Sequence, residues 1–268
     1  MKIIDLSLPI DDSVFEPHPV EITRWEHKRG GDRFGRIWAK SHGIKGILNY
    51  VTGKERITHG SFKDGAFLAL ERVSATVHTG THLDAPYHYG PLSEGKRAKQ
   101  IEEIPLEWCY SDGIVLDLTH KNHRELITEE DIRKAIDKIE YEIKPFDIVL
   151  IHTGADKFWG TKKYFSQYVG MSREAVAYIV NFKVKVIGID TFGFDRPTYT
   201  MIKDFLNTKD SSYLWPAHFY GREKEYCHIE RLANLDQIPR PYGFKVACFP
   251  IKIKGAGAAW VRAVAIIE

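Results

Sequence analysis

The eleven residues His78-Thr79-Gly80-Thr81-His82-Leu83-Asp84-Ala85-Pro86-Tyr87-His88 carry three imidazoles and a carboxylate at positions 78, 82, 84 and 88. All four positions share parity, so on an extended strand they would face one side. HxxxH is also a helical zinc spacing, but the Glu of an HExxH site is absent, and Gly80 and Pro86 oppose a helix interior. A straight strand fails as well, because at about 3.3 Å per residue His78 and His82 would stand roughly 13 Å apart, too far for one coordination sphere. The chain must bend, and Gly80 and Pro86 sit where bends would gather the side chains. His and Asp together suit zinc, manganese or iron(II). Three partly buried imidazoles beside a carboxylate would be costly without a shared partner, which favours a metal over structural histidines.

A loop that supplies two or three ligands leaves positions for water or for residues from elsewhere. The candidates are His218, after Trp215-Pro216-Ala217, and Glu230, with its even-parity neighbour His228 competing for the role. Each also has an ordinary reading, as a hydrogen-bonded loop histidine or a glutamate paired with Arg222 or Arg231. Asp190 ends a strand-like run and either orients a metal-bound histidine or caps a turn. His152 ends another such run and reads more simply as a hydrogen-bonded loop residue. Trp25, Trp38, Phe192 and Trp215 are candidates to wall a flat apolar substrate.

The elements that must position these residues are mixed. Strand-like runs with β-branched residues cover 2–10, 113–118, 147–152, 184–189, 245–254 and 259–267. One helix is expected after Thr128, with Glu129, Glu130 and Asp131 in its first turn and Ile132, Ala135, Ile136 and Ile139 at helical spacing. A second follows Ser172, with Ala175, Val176, Ile179 and Val180 as its stripe. The class is α/β, with more strand than helix, in a single domain spanning 1–268. Residues 21–65 stand apart, carrying eight glycines amid aromatics without clean periodicity, and read as a lid, a pocket-forming excursion or a solvated loop.

Composition narrows the function. With 43% hydrophobic and 12% aromatic residues the chain can fill a sizeable core, so disorder is excluded. A formal net charge of +2 gives no overall field toward nucleic acid or anionic membranes. Three scattered cysteines without a CxxC indicate neither a disulfide framework nor a zinc knuckle. No signal peptide or apolar run of membrane-spanning length is apparent, so a cytoplasmic location is expected. Gly255-Ala256-Gly257 is followed by a strand rather than a helix, and no phosphate loop, nucleophile elbow or arginine cluster is evident.

The motif HxGTHxDAPxH resembles that of the cyclase family of metal-dependent hydrolases, which includes bacterial kynurenine formamidase and isatin hydrolase. The likeness extends over most of the chain: Ile4-Asp5-Leu6-Ser7, Gly188-Ile189-Asp190-Thr191 with Asp195, Leu232-Ala233-Asn234-Leu235-Asp236, Pro250-Ile251-Lys252-Ile253 and Val261-Arg262-Ala263-Val264-Ala265. It implies a swivelling β/β/α fold, a homo-oligomer (dimer or tetramer), a small-molecule substrate, and amide or lactam hydrolysis at one or two zinc or manganese ions. By the same resemblance His78, His82 and Asp84 are metal ligands, His218 and Glu230 the distal ligands, and His88 the catalytic histidine. This chain departs from the family in Phe192-Gly193 after Asp190-Thr191, in Arg231 after Glu230, and in the length of 21–65, all places where a pocket is shaped.

The expected chemistry follows. A bound divalent ion lowers the pKa of water toward about 7 and polarises the carbonyl, while His88 takes or returns a proton. A cyclase or lactonase using the same centre is the near alternative, and a closed metal-binding module without turnover is the distant one.

Overall fold

A computed structural model describes residues 1–123 and 125–268. The chain divides into two compact units, residues 19–75 and the remainder.

The larger unit is organised by a nine-stranded mixed sheet. Its spatial order is Lys2–Asp5, Val264–Ile267, Phe244–Ala247, Tyr110–Asp117, Ile148–His152, Val186–Ile189, Cys227–Glu230, His82–Asp84 and Ala258–Trp260. The four strands from Tyr110–Asp117 to Cys227–Glu230 run parallel, and the flanking pairs are antiparallel. Ile148 to Ile151 and all of Val186–Ile189 are buried, as strands covered on both faces require. On one face Ile114, Leu116, Val149, Ile151, Ile187 and Ile189 pack with the two expected helices, Glu129–Lys138 and Arg173–Asn181. On the other the sheet curls into a half-barrel, bringing Ile4 and Leu6 from one end together with Leu83, Ile229 and Leu150.

The first expected helix opens with a full capping box, in which the Thr128 hydroxyl accepts from Asp131 N and the Asp131 carboxylate accepts from Thr128 N. Ser172 caps the second through Ala175 N. Strands are shorter than their apolar runs: 245–254 stops at Ala247, ahead of Pro250, which cannot donate to a ladder. The run 259–267 splits into two strands, Ala258–Trp260 and Val264–Ile267, and 2–10 ends at Asp5.

The unit 19–75 corrects the reading that 21–65 lacks regular structure. It holds the helices His27–Ser41 and Gly43–Val51 and a hairpin pairing Glu21–Trp25 with Leu70–Ser74. The longer helix buries Gly30, Gly31, Gly35 and Ala39 rather than large side chains. A Cβ on Gly31 would lie 2.8 Å from His59 Cα, and one on Gly35 would run into the Ile57 carbonyl. Glycine therefore lets the 57–59 segment lie directly on the helix, while hiding the apolar period by which a helix is recognised. With Thr198–Thr208 also helical, helix comes out level with strand rather than below it. No helix among the described residues is long and apolar enough to cross a membrane.

Candidate metal centre

Strand register assembles the centre. One row runs across the sheet through Ile114, Val149, Ile187, His228, Asp84 and Ala258, apolar in its first half and ligand-bearing in its second. The neighbouring row pairs Glu230 with His82 and His82 with Trp260. Because alternate residues share a face, Asp84, His82, His228 and Glu230 emerge together while Leu83 and Ile229 enter the core behind them.

His78 reaches the same point from before a turn in which Gly80 takes φ +64°, the left-handed region that glycine enters freely. His88 lies on a one-turn helix, Pro86–Tyr89. That helix departs from the expectation of a non-helical host. Pro86 occupies its first position, where a missing N–H costs nothing.

Two ligand groups share Asp84. One donor atom each from His78, His82 and Asp84 lies within 4.8 Å of the others, and so do donor atoms of Asp84, His218, His228 and Glu230. Asp84 Oδ1 is 3.0 Å from His78 Nδ1 and 3.5 Å from His82 Nε2. Asp84 Oδ2 is 3.1 Å from His228 Nε2, 3.7 Å from His88 Nε2 and 3.9 Å from His218 Nε2. Glu230 closes the set, 3.5 Å from both His82 and His228 and 3.7 Å from His218.

These donors fit a divalent cation on a specific observation. His82 Nε2 and Asp84 Oδ1 are buried without a hydrogen-bond partner, and the 3.0 Å approach of His78 lacks hydrogen-bond alignment. Such orphans are expensive unless something else satisfies them. The set of imidazole nitrogens and carboxylate oxygens suits zinc or manganese.

Neighbours fix the ring orientations. His82 Nδ1 contacts the Gly80 carbonyl at 2.9 Å, leaving Nε2 for the centre. His218 Nδ1 is held at 2.5 Å by Asp195, which also accepts from Ala217 N and His218 N and so caps the short helix Pro216–Tyr220. Glu230 Oε1 accepts from Phe194 N at 2.7 Å. Asp190 performs the turn-capping of its two expected roles: it accepts from Thr153 N, Thr153 Oγ1 and Gly154 N. Among the described residues, the carboxylate that orients a site imidazole from outside the ligand set is Asp195, which the sequence reading had not given that role. Its only sequence signal is its place in the 188–195 segment, since its partner lies 23 residues away.

Charge in the centre is tightly coupled. Burial opposes ionisation of Asp84, but His78, His88 and His82 hold its carboxyl well below the usual range. Burial likewise pushes His228 down, yet Asp84 and Glu230 outweigh it and raise the imidazole to about 9. His88 is driven the other way, to about 4, by burial and then by the charges of His218, His78 and His228 against Asp84. The direction of that shift favours the neutral imidazole at His88.

A cavity of about 300 Å³ opens over the centre, with His78, His88, His218 and Glu230 on its floor and Tyr168, Phe192, Phe194 and Trp215 among its walls. Of the four aromatic candidates, Phe192 and Trp215 form this wall, whereas Trp25 and Trp38 belong to the unit 19–75. Two arginines also line it. Arg231 pairs with Glu16 at 2.9 Å, both side chains nearly fully buried, and its guanidinium sits 4.4 Å from the Phe192 ring centroid. Arg196 pairs with Asp204 at 2.8 Å. Arg231 adopts φ +60°, a conformation an Asn would tolerate more easily.

A mixed, curled sheet carries a cross-strand His/Asp/Glu cluster that could hold a metal, beneath a cavity with aromatic walls, in a protein of the α/β class. The chain belongs to the family described as Putative cyclase, which matches residues 4–196. It is 22% identical over 253 residues to cyclase-like protein 2 of Oryza sativa subsp. japonica, covering 90% of this chain and 84% of that protein. It is 26% identical over 220 residues to the kynurenine formamidase of Geobacillus thermodenitrificans, covering 81% and 86%. The fold matches that of an isatin hydrolase bound to the product analogue thioisatinate with a TM-score of 0.72 at 20% identity, covering 100% of this chain and 92% of that one.

Proposed function

We propose that this chain is a metal-dependent hydrolase that cleaves the C–N bond of an amide or lactam in a small aromatic substrate. The observation that carries the reading is the pair of unpartnered buried donors, His82 Nε2 and Asp84 Oδ1, at the centre of a ligand cluster beneath an aromatic-walled cavity. His78, His82 and Asp84 would hold one ion. His218, His228 and Glu230 would hold a second, with Asp84 shared, and zinc or manganese suits both.

When bound, such an ion supplies Lewis acidity and a water acidic enough to attack at neutral pH. The chain's own groups do the rest. His88, neutral and open to the cavity, accepts a proton at Nε2 from the attacking water and returns it to the leaving nitrogen. Asp195 keeps His218 Nδ1 engaged so that Nε2 faces the centre. Phe192 and Trp215 offer flat apolar faces to a ring. The absence of an arginine cluster expected from the sequence becomes a subtler fact: Arg231 and Arg196 do line the cavity, but each is neutralised by its own carboxylate. The wall therefore favours a substrate uncharged at that end.

The test is kcat/KM for N-formylkynurenine, isatin and aryl lactones on zinc- and manganese-loaded protein. Turnover of an amide or lactam is expected. Efficient lactone opening alone would move the chain to a lactonase. Silence toward all three, with tightly held metal, would favour a binding module.

A further inference from the structure

His228 stands outside the ligand set that the family resemblance implies, yet its Nε2 lies 3.1 Å from Asp84 Oδ2 and 3.5 Å from Glu230 Oε1. Behind it the Tyr89 hydroxyl is buried at the meeting of three contacts. It lies 3.1 Å from the Asp84 carbonyl oxygen, 3.1 Å from His228 Nδ1 and 3.1 Å from the His228 backbone nitrogen. A phenol brings one hydrogen and otherwise accepts. The His228 amide can only donate and the Asp84 carbonyl can only accept, so the phenol hydrogen goes to Asp84 and His228 Nδ1 donates to the phenol oxygen. With the hydroxyl donating to a bare Nδ1 instead, two buried oxygens would face each other at 3.1 Å with no hydrogen between them. Nδ1 bears hydrogen in the imidazolium as well as in this tautomer, so Nε2 is the ring atom that can become a ligand.

We propose that Tyr89 is the positioning residue that makes His228 a metal ligand, holding hydrogen on Nδ1 so that Nε2 serves the second ion. The inference rests on the two-ion reading above and on no turnover. The ring plane is held to match: Phe194 stacks on the imidazole at 4.1 Å and 7°, and the Tyr89 ring at 5.1 Å and 25°. Asp195 orients His218 through a carboxylate. Tyr89 does the same for His228 through a neutral hydroxyl, which adds no charge to a centre that already holds Asp84 and Glu230.

The experiment is zinc titration of the full chain, stripped of metal, against a competing chelator. It compares wild type, Tyr89→Phe, His228→Ala and the double variant, and adds long-range proton–nitrogen spectra of the zinc-loaded wild type. Phenylalanine keeps the stacked ring and removes only the hydroxyl. Tyr89→Phe is expected to weaken the second zinc by about 10 to 100-fold. In the His228→Ala background, where Asp84, His218 and Glu230 remain, the same change should matter less than about threefold, because residues that act through one contact are not additive. The spectra should show hydrogen on Nδ1 of His228 and none on Nε2. Equal weakening in both backgrounds is the mark of a packing role and would overturn the proposal. So would a His228 ring with its hydrogen on Nε2 while two zinc ions are bound, a result that leaves the two-ion reading intact. Wild type that takes up fewer than two zinc ions per chain would sink that reading and the proposal with it.

Discussion

The metal centre and the unit 19–75 use their residues in opposite ways. At the centre, polar groups are buried and the sheet spends its register on bringing them together: Asp84 lies opposite His228, and His82 opposite Glu230. In the unit 19–75, glycines and Ala39 are buried while Ile44, Leu48, Val51, Leu68 and Leu70 are exposed. The first arrangement suits a cation, and the second leaves apolar side chains in contact with solvent. Burial of the wrong kind of group is thus as informative about function as exposure of the wrong kind.

If that contrast holds, substitutions at the centre should alter metal and chemistry, and those in the small unit only stability or assembly. The largest effect is expected for Asp84→Ala, which removes the carboxylate common to both ligand groups. Metal measured by elemental analysis should fall below about a tenth of wild type and turnover should vanish, since breaking a shared buried charge leaves its partners uncompensated. Equal metal in variant and wild type would break the comparison outright. Next is His88→Ala, with kcat lowered by about 10² to 10⁴-fold while metal is retained. Loss of metal there would make His88 a ligand. Asp195→Asn should weaken metal affinity by about 10 to 100-fold, the range for a residue that orients a ligand, and a chelator titration reads it.

Gly35→Ala tests the other region. Its new methyl meets the Ile57 carbonyl, costing about 1 to 3 kcal/mol in denaturant melts, with metal content unaffected. The smallest effect is a slope. Burial pushes the Asp190 carboxyl up to about 7, against its bonds to Thr153 and Gly154. That lies above the unfolded value of about 3.9, so its contribution is fully present below pH 4 and is lost as pH rises through 7. Wild-type Tm should therefore drop between pH 4 and 8 by roughly a few degrees more than that of Asp190→Asn. Parallel slopes would remove Asp190 as the source.

Much of this was legible in the sequence wherever cause and effect are close along the chain. Thr128 with Asp131, and Ser172 with Ala175, cap their helices within one turn. The 78–88 loop carries its candidate ligands within eleven residues, although the residue pattern alone left the distal set open among His218, His228 and Glu230. Arg231 could be seen as unusual, but its partner Glu16 lies 215 residues away and only the fold supplies it. The helices His27–Ser41 and Gly43–Val51 were illegible for a different reason. In His27–Ser41 the buried positions are glycines and Ala39, so its inward face gives no apolar signal, whereas Gly43–Val51 does carry a helical period at Ile44, Ile47, Leu48 and Val51 that its glycines had masked.

The strand pairing at the centre also sets when in a protein's life it can come into being. His218, His228 and Glu230 meet Asp84 across more than 130 residues of chain, and Cys227–Glu230 must first pair with His82–Asp84. Contacts of such separation form late, after the intervening chain has been ordered. During synthesis, a ribosome that has made only the first 200 residues has supplied His78, His82 and Asp84 but nothing of the strand that faces them. The shared set of Asp84, His218, His228 and Glu230 is thus complete only once Cys227–Glu230 has been made and has paired with His82–Asp84.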